Sequence, residues 1–412
     1  MRRVAVTGFG VTSPIGVGRE DFWHSLAEGA SGIGKITRFD CSTFEVRLAG
    51  EVRQPMELPE EVARWAEADV KIGFGYAAVR EALRQAQREH LGQDSLLHLG
   101  VSIEAFDPTH VIVNGKVDFG AATERSLSGA GHSLQVPLDQ CTAVVIARHG
   151  RPARALTNCS ACAAGAQAIG HGFREVRAGR CGFALCGGLD SMVNPLGVGG
   201  FQRLGALTTD NERGEGACRP FDASRSGTVL GEGAAAVVLE SLEEARSDGK
   251  PILAEVCGYG STLDAHSLSA PDPEGDGAVR AMVAALDDAG LPPEAIGHIN
   301  AHGTGTLLND EVEAAAIRRV FSRCWERVPV SATKSLTGHM IAAAGAVEFG
   351  ACLLPLLRSM LPVNPFLHRA GRGCELAHVT SRGMPFDGEY ALSNSFGFGG
   401  QNASLVLRRY NG

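Results

Sequence analysis

The chain lacks any block of basic residues and any interleaving of aromatic with basic positions, and its formal charge is −8, from 38 Lys and Arg against 46 Asp and Glu. That balance offers no electrostatic footing for a phosphate backbone, so nucleic acid is not an expected partner. An uninterrupted apolar run is missing too. The most apolar stretch, residues 340–361, is broken by Glu348, Pro355 and Arg358 and reads as two buried helical pieces, not a membrane span. Near the start, Gly8, Gly10, Ser13 and Pro14 interrupt what a secretory leader would keep apolar, so a first buried strand is expected there. Paired-cysteine patterning is absent: the 11 cysteines are odd in number and scattered through 412 residues. A reduced cytoplasm is the expected compartment. The glycine-rich runs also lack the strand-linked G-x-G-x-x-G fingerprint with its acidic partner, and no redox or nucleotide cofactor is expected.

What is present is a chain of 44% apolar residues, long enough for a large core, with 53 glycines that gather in loops. Strand-like and helix-like segments alternate, which favours an α/β architecture. Helices are expected over 60–89, 163–178, 277–289 and 310–321, and a short strand over 153–157. Val6-Thr7-Gly8-Phe9-Gly10-Val11-Thr12 and Val256-Cys257-Gly258-Tyr259-Gly260-Ser261-Thr262 share the pattern V-x-G-aromatic-G-x-T. An echo at about 250 residues points to two similar halves, and the turn at 248–251 divides them into 1–250 and 251–412.

Three short segments carry the chemistry: Asn158-Cys159-Ser160-Ala161-Cys162-Ala163-Ala164-Gly165, Asn300-Ala301-His302-Gly303-Thr304-Gly305-Thr306 and Lys334-Ser335-Leu336-Thr337-Gly338-His339. A thiolate holds an acyl group as a thioester when a helix N-terminus or a nearby cation lowers its pKa. Cys162 has that setting. The residues after it are Ala-rich, with Ile169, Phe173 and Val176 at helical spacing. Strand, tight small-residue turn and helix N-terminus form the layout of a nucleophile elbow, whose backbone N–H and helix dipole favour negative charge on a substrate oxygen. A single imidazole would serve as a base, whereas two N–H donors aimed at one oxygen would stabilise an enolate. The plainer readings are a buried structural thiol, a redox pair or half a zinc site for the Cys159/Cys162 spacing, and ordinary loop histidines. No second CxxC follows and the Ala-Ala-Gly flank has no resolving-cysteine layout, so no metal is expected and Cys159 is assigned to the core. Glu348, inside an apolar segment, needs a partner if buried.

In this order and with these neighbours, the three segments resemble the Cys-His-His set of the β-ketoacyl-acyl carrier protein synthases, closest to the type II elongating enzymes of the thiolase superfamily. The resemblance extends to VAVTGFGVTSP from Val4, NPLGVGGFQRLGALTT from Asn194, PFDASRSGTVLGEGA from Pro220, SATKSLTGHMIAAAGAVE from Ser331 and NSFGFGGQN from Asn394, leaving residues 96–141 poorly matched. It implies a thiolase fold, two similar α/β halves in a layered αβαβα arrangement. It implies further that Cys162 is acylated by an acyl-carrier protein and that His302 and His339 hold the enolate formed when malonyl-carrier protein loses carbon dioxide. Lys334 and Glu348 would support them, Phe398 would gate the two substrates and share the oxyanion with Cys162, and Thr304, Thr306, Phe201 and Gly399 would bind substrate.

A degradative thiolase would carry a late second cysteine, an initiating type III synthase would pair histidine with asparagine, and a chain-length factor would lack the nucleophile. A carrier-binding scaffold without acylation is the rival from another class. Two departures bear on substrate. Glu104 and Phe106 stand where small residues usually shape the acyl pocket. The basic helix that greets an acidic carrier protein is thin, leaving Arg64, Lys71, Arg125 and Arg203 as docking candidates. Both departures favour a specialised lipid or polyketide pathway over housekeeping elongation. The expected assembly is a homodimer, or a heterodimer with a ketosynthase-like paralogue.

Overall fold

The computed structural model describes residues 2–106, scattered positions from 112 to 124, and 135–412. Five strands of the first half are β1 (Val4–Ser13), β2 (Ser95–Gly100), β3 (Arg154–Asn158), β4 (Phe183–Ser191) and β5 (Leu230–Ser241). Five of the second are β6 (Ala254–Leu263), β7 (Ile296–Asn300), β8 (Val330–Ser331), β9 (Tyr390–Gly397) and β10 (Gln401–Arg408). They run in the order β3-β2-β4-β5-β1-β6-β10-β9-β7-β8, so each half, counted outward from its first strand, repeats the same topology. The halves meet where β1 pairs antiparallel with β6, Val4 opposite Val256 and Val6 opposite Ala254.

The main helices are α1 (Glu60–Ala68), α2 (Val70–Gln85), α3 (Ala164–Arg177), α4 (Pro195–Arg203), α5 (Asp276–Ala289), α6 (Leu307–Val320) and α7 (Ala344–Arg358). α2 covers the outer face of the first half and α5 that of the second, while α3 and α7 pack on each other and on strands of both halves. The result is the layered αβαβα arrangement of a thiolase fold.

The V-x-G-aromatic-G echo has a packing cause. Both copies carry a strand irregularity at the same place, between Val6 and Gly8 and between Val256 and Gly258. A side chain at Gly8 or Gly10 would stand 2.1 Å from a carbonyl oxygen of α2, and one at Gly258 or Gly260 would stand 2.1 or 2.0 Å from a carbonyl oxygen of α5. The glycines let each outer helix lie against its strand. The aromatic residue between them faces the other way: Phe9 fills the space over Gly350 of α7, and Tyr259 the space over Gly170 of α3. Each half thus inserts a ring into the central helix of the other.

The helix expected over 60–89 is two helices. Asp69 is extended, at φ −151° and ψ 103°, and its carboxylate accepts the Lys71 N–H, capping α2. The stretch 340–361 is one helix, not two pieces, entered through a single tight turn at Ile341–Ala343. Pro355 sits in its last turn, and Glu348 is paired from outside. Ile341–Arg358 is long and apolar enough to cross a membrane, but 89% of it is buried within the fold.

Gly350→Ala should collide with the Phe9 ring and lower the unfolding free energy by about 2 kcal/mol. Phe9→Leu in the same chain should recover part of that loss, as read from urea denaturation midpoints.

Candidate active site

Cys162 lies in a single 3₁₀ turn, Ala161–Ala163, between edge strand β3 and helix α3. The turn is tight enough to place Ala161 at φ +48°, a conformation non-glycine residues rarely adopt. The thiol is buried. The end of β9 comes up to it backbone first: a Cβ at Gly397 would stand 2.9 Å from Cys162 N. This approach brings the Phe398 N–H to the Cys162 sulfur.

His302 follows β7 and His339 follows the short helix Lys334–Thr337. His339 Nε2 is 3.1 Å from Cys162 Sγ, and the two imidazoles meet edge to face with centroids 5.2 Å apart. Lys334 Nζ lies 3.1 Å from His302 Nδ1, donates to the His302 carbonyl at 2.5 Å, and pairs with Glu348. Lysine donates only. His302 Nδ1 is therefore the acceptor, and its proton sits on Nε2.

Burial, reinforced by Lys334, holds both histidines well below the usual imidazole pKa, so they are neutral. Burial also pushes Glu348 up to about 7, against the pull of Lys334. The same cause pushes the Cys162 thiol up to about 11, although Lys334 and the Phe398 N–H pull it down. The stabilisation expected from sequence acts in the expected direction, but desolvation outweighs it. At neutral pH the resting group is a thiol with an imidazole nitrogen beside it.

A cavity of about 380 Å³ opens onto this cluster and is lined by Cys162, Phe201, His302, Thr304, Thr306 and Phe398, among others. The Phe201 and Phe398 rings stack with centroids 5.9 Å apart. Thr304 and Thr306 join hydroxyls at 2.9 Å, and Thr306 also caps α6 by accepting the Asn309 N–H. Gly399 is not in the lining; its N–H donates to the Leu268 carbonyl at 2.8 Å, beside Gly397 and Phe398, which are.

Other expected residues lie elsewhere. Lys71 is buried and pairs with Asp69 at 2.5 Å, so it presents no charge to a docking protein. Arg64 is exposed but paired with Glu60 one turn away. Arg203 is exposed at the end of α4, next to the cavity mouth. Arg125 lies outside the described residues. Glu104 is half-buried and off the cavity lining, and Phe106 belongs to the short strand Ala105–Phe106. Cys159 is exposed, not core, because β3 is an edge strand; it stands outside the Cys162, His302 and His339 cluster, whose ligating atoms lie within 4.8 Å of one another. The Lys334 ammonium against that cluster works against a cation there.

Sequence reasoning missed Glu313 and Asp310. Glu313 accepts the N–H groups of His302 and Gly303, each at 2.8 Å, and Asp310 accepts those of Thr304 and Gly305 at 3.1 and 3.2 Å. Buried carboxylates on α6 therefore set the backbone of the histidine loop. Their signal was two acids three residues apart at the start of a helix that follows the motif.

A thiol, two neutral imidazoles and convergent N–H groups on a thiolase fold define an acyl-transferring thiol enzyme. The comparisons carry this to a family. The chain matches the Beta-ketoacyl synthase N-terminal domain over residues 1–245 and the C-terminal domain over 253–368. It is 35% identical to "3-oxoacyl-[acyl-carrier-protein] synthase 2" of Coxiella burnetii, covering 99% of each chain. Among solved structures it is similar to "The ishigamide ketosynthase/chain length factor", with TM-score 0.85, 34% identity and 100% of each chain covered. It is also similar to a chain of "AntDE:AntF (apo): type II PKS acyl-carrier protein in complex with its ketosynthase bound to the hexaketide", with TM-score 0.86, 26% identity, 99% of this chain and 100% of that one. The chain belongs to the β-ketoacyl synthase family, and its activity is that of an acyltransferase ketosynthase.

Because the resting group is a thiol, alkylation of Cys162 by iodoacetamide should accelerate with pH through 9 without levelling, as for a group at about 11. Intact-mass kinetics read this directly, and a plateau below about pH 8 would show a thiolate already formed.

Proposed function

We propose that Cys162 is the acyl acceptor of a decarboxylative condensation and that His302 and His339 hold the enolate. The observation that carries this reading is the convergence of one thiol and two neutral imidazoles on a single cavity, with His339 Nε2 3.1 Å from Cys162 Sγ. In the first half-reaction the Cys162 sulfur attacks the thioester of an acyl-carrier protein. Its proton passes to the departing carrier sulfur, and both imidazoles keep the protons they later donate. The oxyanion is held by the N–H groups of Cys162 and Phe398.

In the second, malonyl-carrier protein occupies the same cavity, with its thioester oxygen between the two imidazoles. Its C–C bond to the carboxylate breaks, carbon dioxide leaves, and the electron pair passes to the enolate, which accepts N–H donation from both histidines. The enolate carbon then attacks the acyl carbonyl, the bond to Cys162 breaks, and the thiolate takes up a proton. The product is a 3-oxoacyl thioester two carbons longer. Lys334 keeps His302 in the donating tautomer, Glu348 partners Lys334, and Phe398, stacked on Phe201, would gate the two substrates.

The ketosynthase similarities support carrier-borne substrates and a second thiolase-fold chain, a copy or a paralogue, as partner. The exposed edge strand β3 is a surface on which such a chain would add. The buried Lys71 supports a carrier or pathway apart from housekeeping elongation.

His302→Ala should leave acyl transfer to Cys162 intact and lower condensation by about 10²–10³-fold, the cost of losing one enolate donor. Cys162→Ala should lose the acyl adduct altogether. Peptide mass spectrometry and product assay separate the two, and an adduct that survives Cys162→Ala would refute the assignment.

A further inference from the structure

A polar ladder runs beneath edge strand β3. Ala164, His171 and Glu175 lie seven and four residues apart along α3, so they share the face turned toward β2 and β3. At the outer rung Glu175 pairs with Arg154 of β3 and accepts from Arg180 at 2.9 Å. At the middle rung His171 Nδ1 meets Nδ1 of His98, a buried residue of β2, at 3.0 Å, with the rings edge to face. At the inner rung Asn158, the last residue of β3, donates from Nδ2 to the Ser160 hydroxyl at 2.8 Å and to the Ala164 carbonyl at 3.3 Å. One side chain thus ties both flanks of the turn that carries Cys162. Asn158 Oδ1 is shut off from water and meets no donor at ideal geometry; the ring facing that side chain is His98, whose affinity for a proton the contact raises.

The directions of these bonds follow from the donors and acceptors present. The amide nitrogen of Asn158 is spent on Ser160 and Ala164, so its oxygen is turned to His98 and needs a donor. His98 commits Nδ1 to His171, which leaves Nε2–H as that donor and makes His98 Nδ1 the acceptor of the His171 Nδ1–H. Ala161, at φ +48°, stores strain that persists only where the surroundings fix the turn. The second elbow is fastened through its own N–H, from Ala342 to Asp190 at 3.0 Å. The first cannot be fastened that way if its Cys162 N–H is to receive a substrate oxyanion. We propose that the His171–His98–Asn158 chain takes the place of that fastening, with His98 and Asn158 as positioning residues that keep the Cys162 N–H aimed at the thioester oxygen. This rests on the acyl-acceptor reading above.

Alkylation by iodoacetamide asks only for the sulfur, whereas acylation asks for the sulfur and the aimed N–H, so the two rates at Cys162 separate positioning from folding. The probes are iodoacetamide and the acetyl, hexanoyl and decanoyl thioesters of N-acetylcysteamine, each read on the Cys162 peptide by mass spectrometry. His98→Leu and Asn158→Leu should slow acylation by roughly tenfold, a fraction of the ~10²–10³-fold cost of losing an oxyanion donor outright. Alkylation should stay within about twofold of the native rate. His98→Gln, whose amide N–H stands where the Nε2–H stood, should restore most of the acylation rate. Equal slowing of both reactions by His98→Leu would overturn the proposal, because the turn would then be loosened as a whole. A His98→Gln chain no faster than His98→Leu would overturn it too, since the bulk of the ring and not its donor would be what matters, and so would unchanged acylation in His98→Leu. The His98 variants decide the matter if Asn158→Leu does not fold. A native chain acylated by none of the thioesters would instead bring down the acyl-acceptor reading, and the positioning proposal with it.

Discussion

Lys334 is the interaction on which the site depends. It is almost fully buried, as is Glu348, its ion-pair partner. Removing one member of such a pair leaves an uncompensated charge in a low dielectric, which costs several kcal/mol. The remaining donors of Lys334 go to His302 Nδ1 and the His302 carbonyl, so one side chain sets both the position and the tautomer of the imidazole. The same positive charge helps keep both histidines unprotonated and partly offsets the desolvation of the Cys162 thiol. The proposed carbon–carbon bond formation needs donors that do not give up their protons, and neutral imidazoles beside a buried ammonium would supply them.

The repeat explains why the reaction happens on one side only. The elbow before α3, Ala161–Ala163, has a counterpart before α7, Ile341–Ala343, and the residues entering the two turns have φ +48° and +43°. The sequences run Cys-Ala-Ala-Gly-Ala from Cys162 and Ala-Ala-Ala-Gly-Ala from Ala342. In the second elbow the Ala342 N–H is taken by the carboxylate of Asp190 at 3.0 Å, near the end of β4. In the first, the end of β9 brings Gly397 against the nucleophile. Gly165 and Gly345 let the two central helices meet: a Cβ on Gly165 would stand 2.8 Å from the Ala342 carbonyl, and one on Gly345 2.8 Å from Ala166. One copy of the motif carries a thiol with room for substrate, and the other is closed and structural.

Much of this was legible in the sequence because glycine spacing and motif order are local properties. Cys162, His302 and His339 sit on segments whose small residues announce tight turns, and the structure brings those segments to one cavity. The V-x-G-aromatic-G echo marked the two halves, though its meaning needed the partner glycines Gly170 and Gly350, which are far away in the chain. What escaped was set by tertiary pairing. Lys71 reads as a surface charge until the break at Asp69 turns it inward. Glu313 looks like one acid among several on an amphipathic helix until it is seen to accept the backbone of His302. Cys159 looks like core by residue type, but edge strand β3 leaves it open. The thiol's ionisation was misjudged for the same reason, since the depth of burial that outweighs Lys334 has no local signature.

The most direct test of this account is the protonation state of the two imidazoles, read from ¹⁵N shifts of histidine-labelled protein across pH. The account requires His302 to be neutral with its proton on Nε2 throughout the neutral range, and His339 to be neutral as well. An imidazolium at either position near pH 7, or a proton on His302 Nδ1, would contradict it, because the enolate would then lack the donors on which the reaction depends.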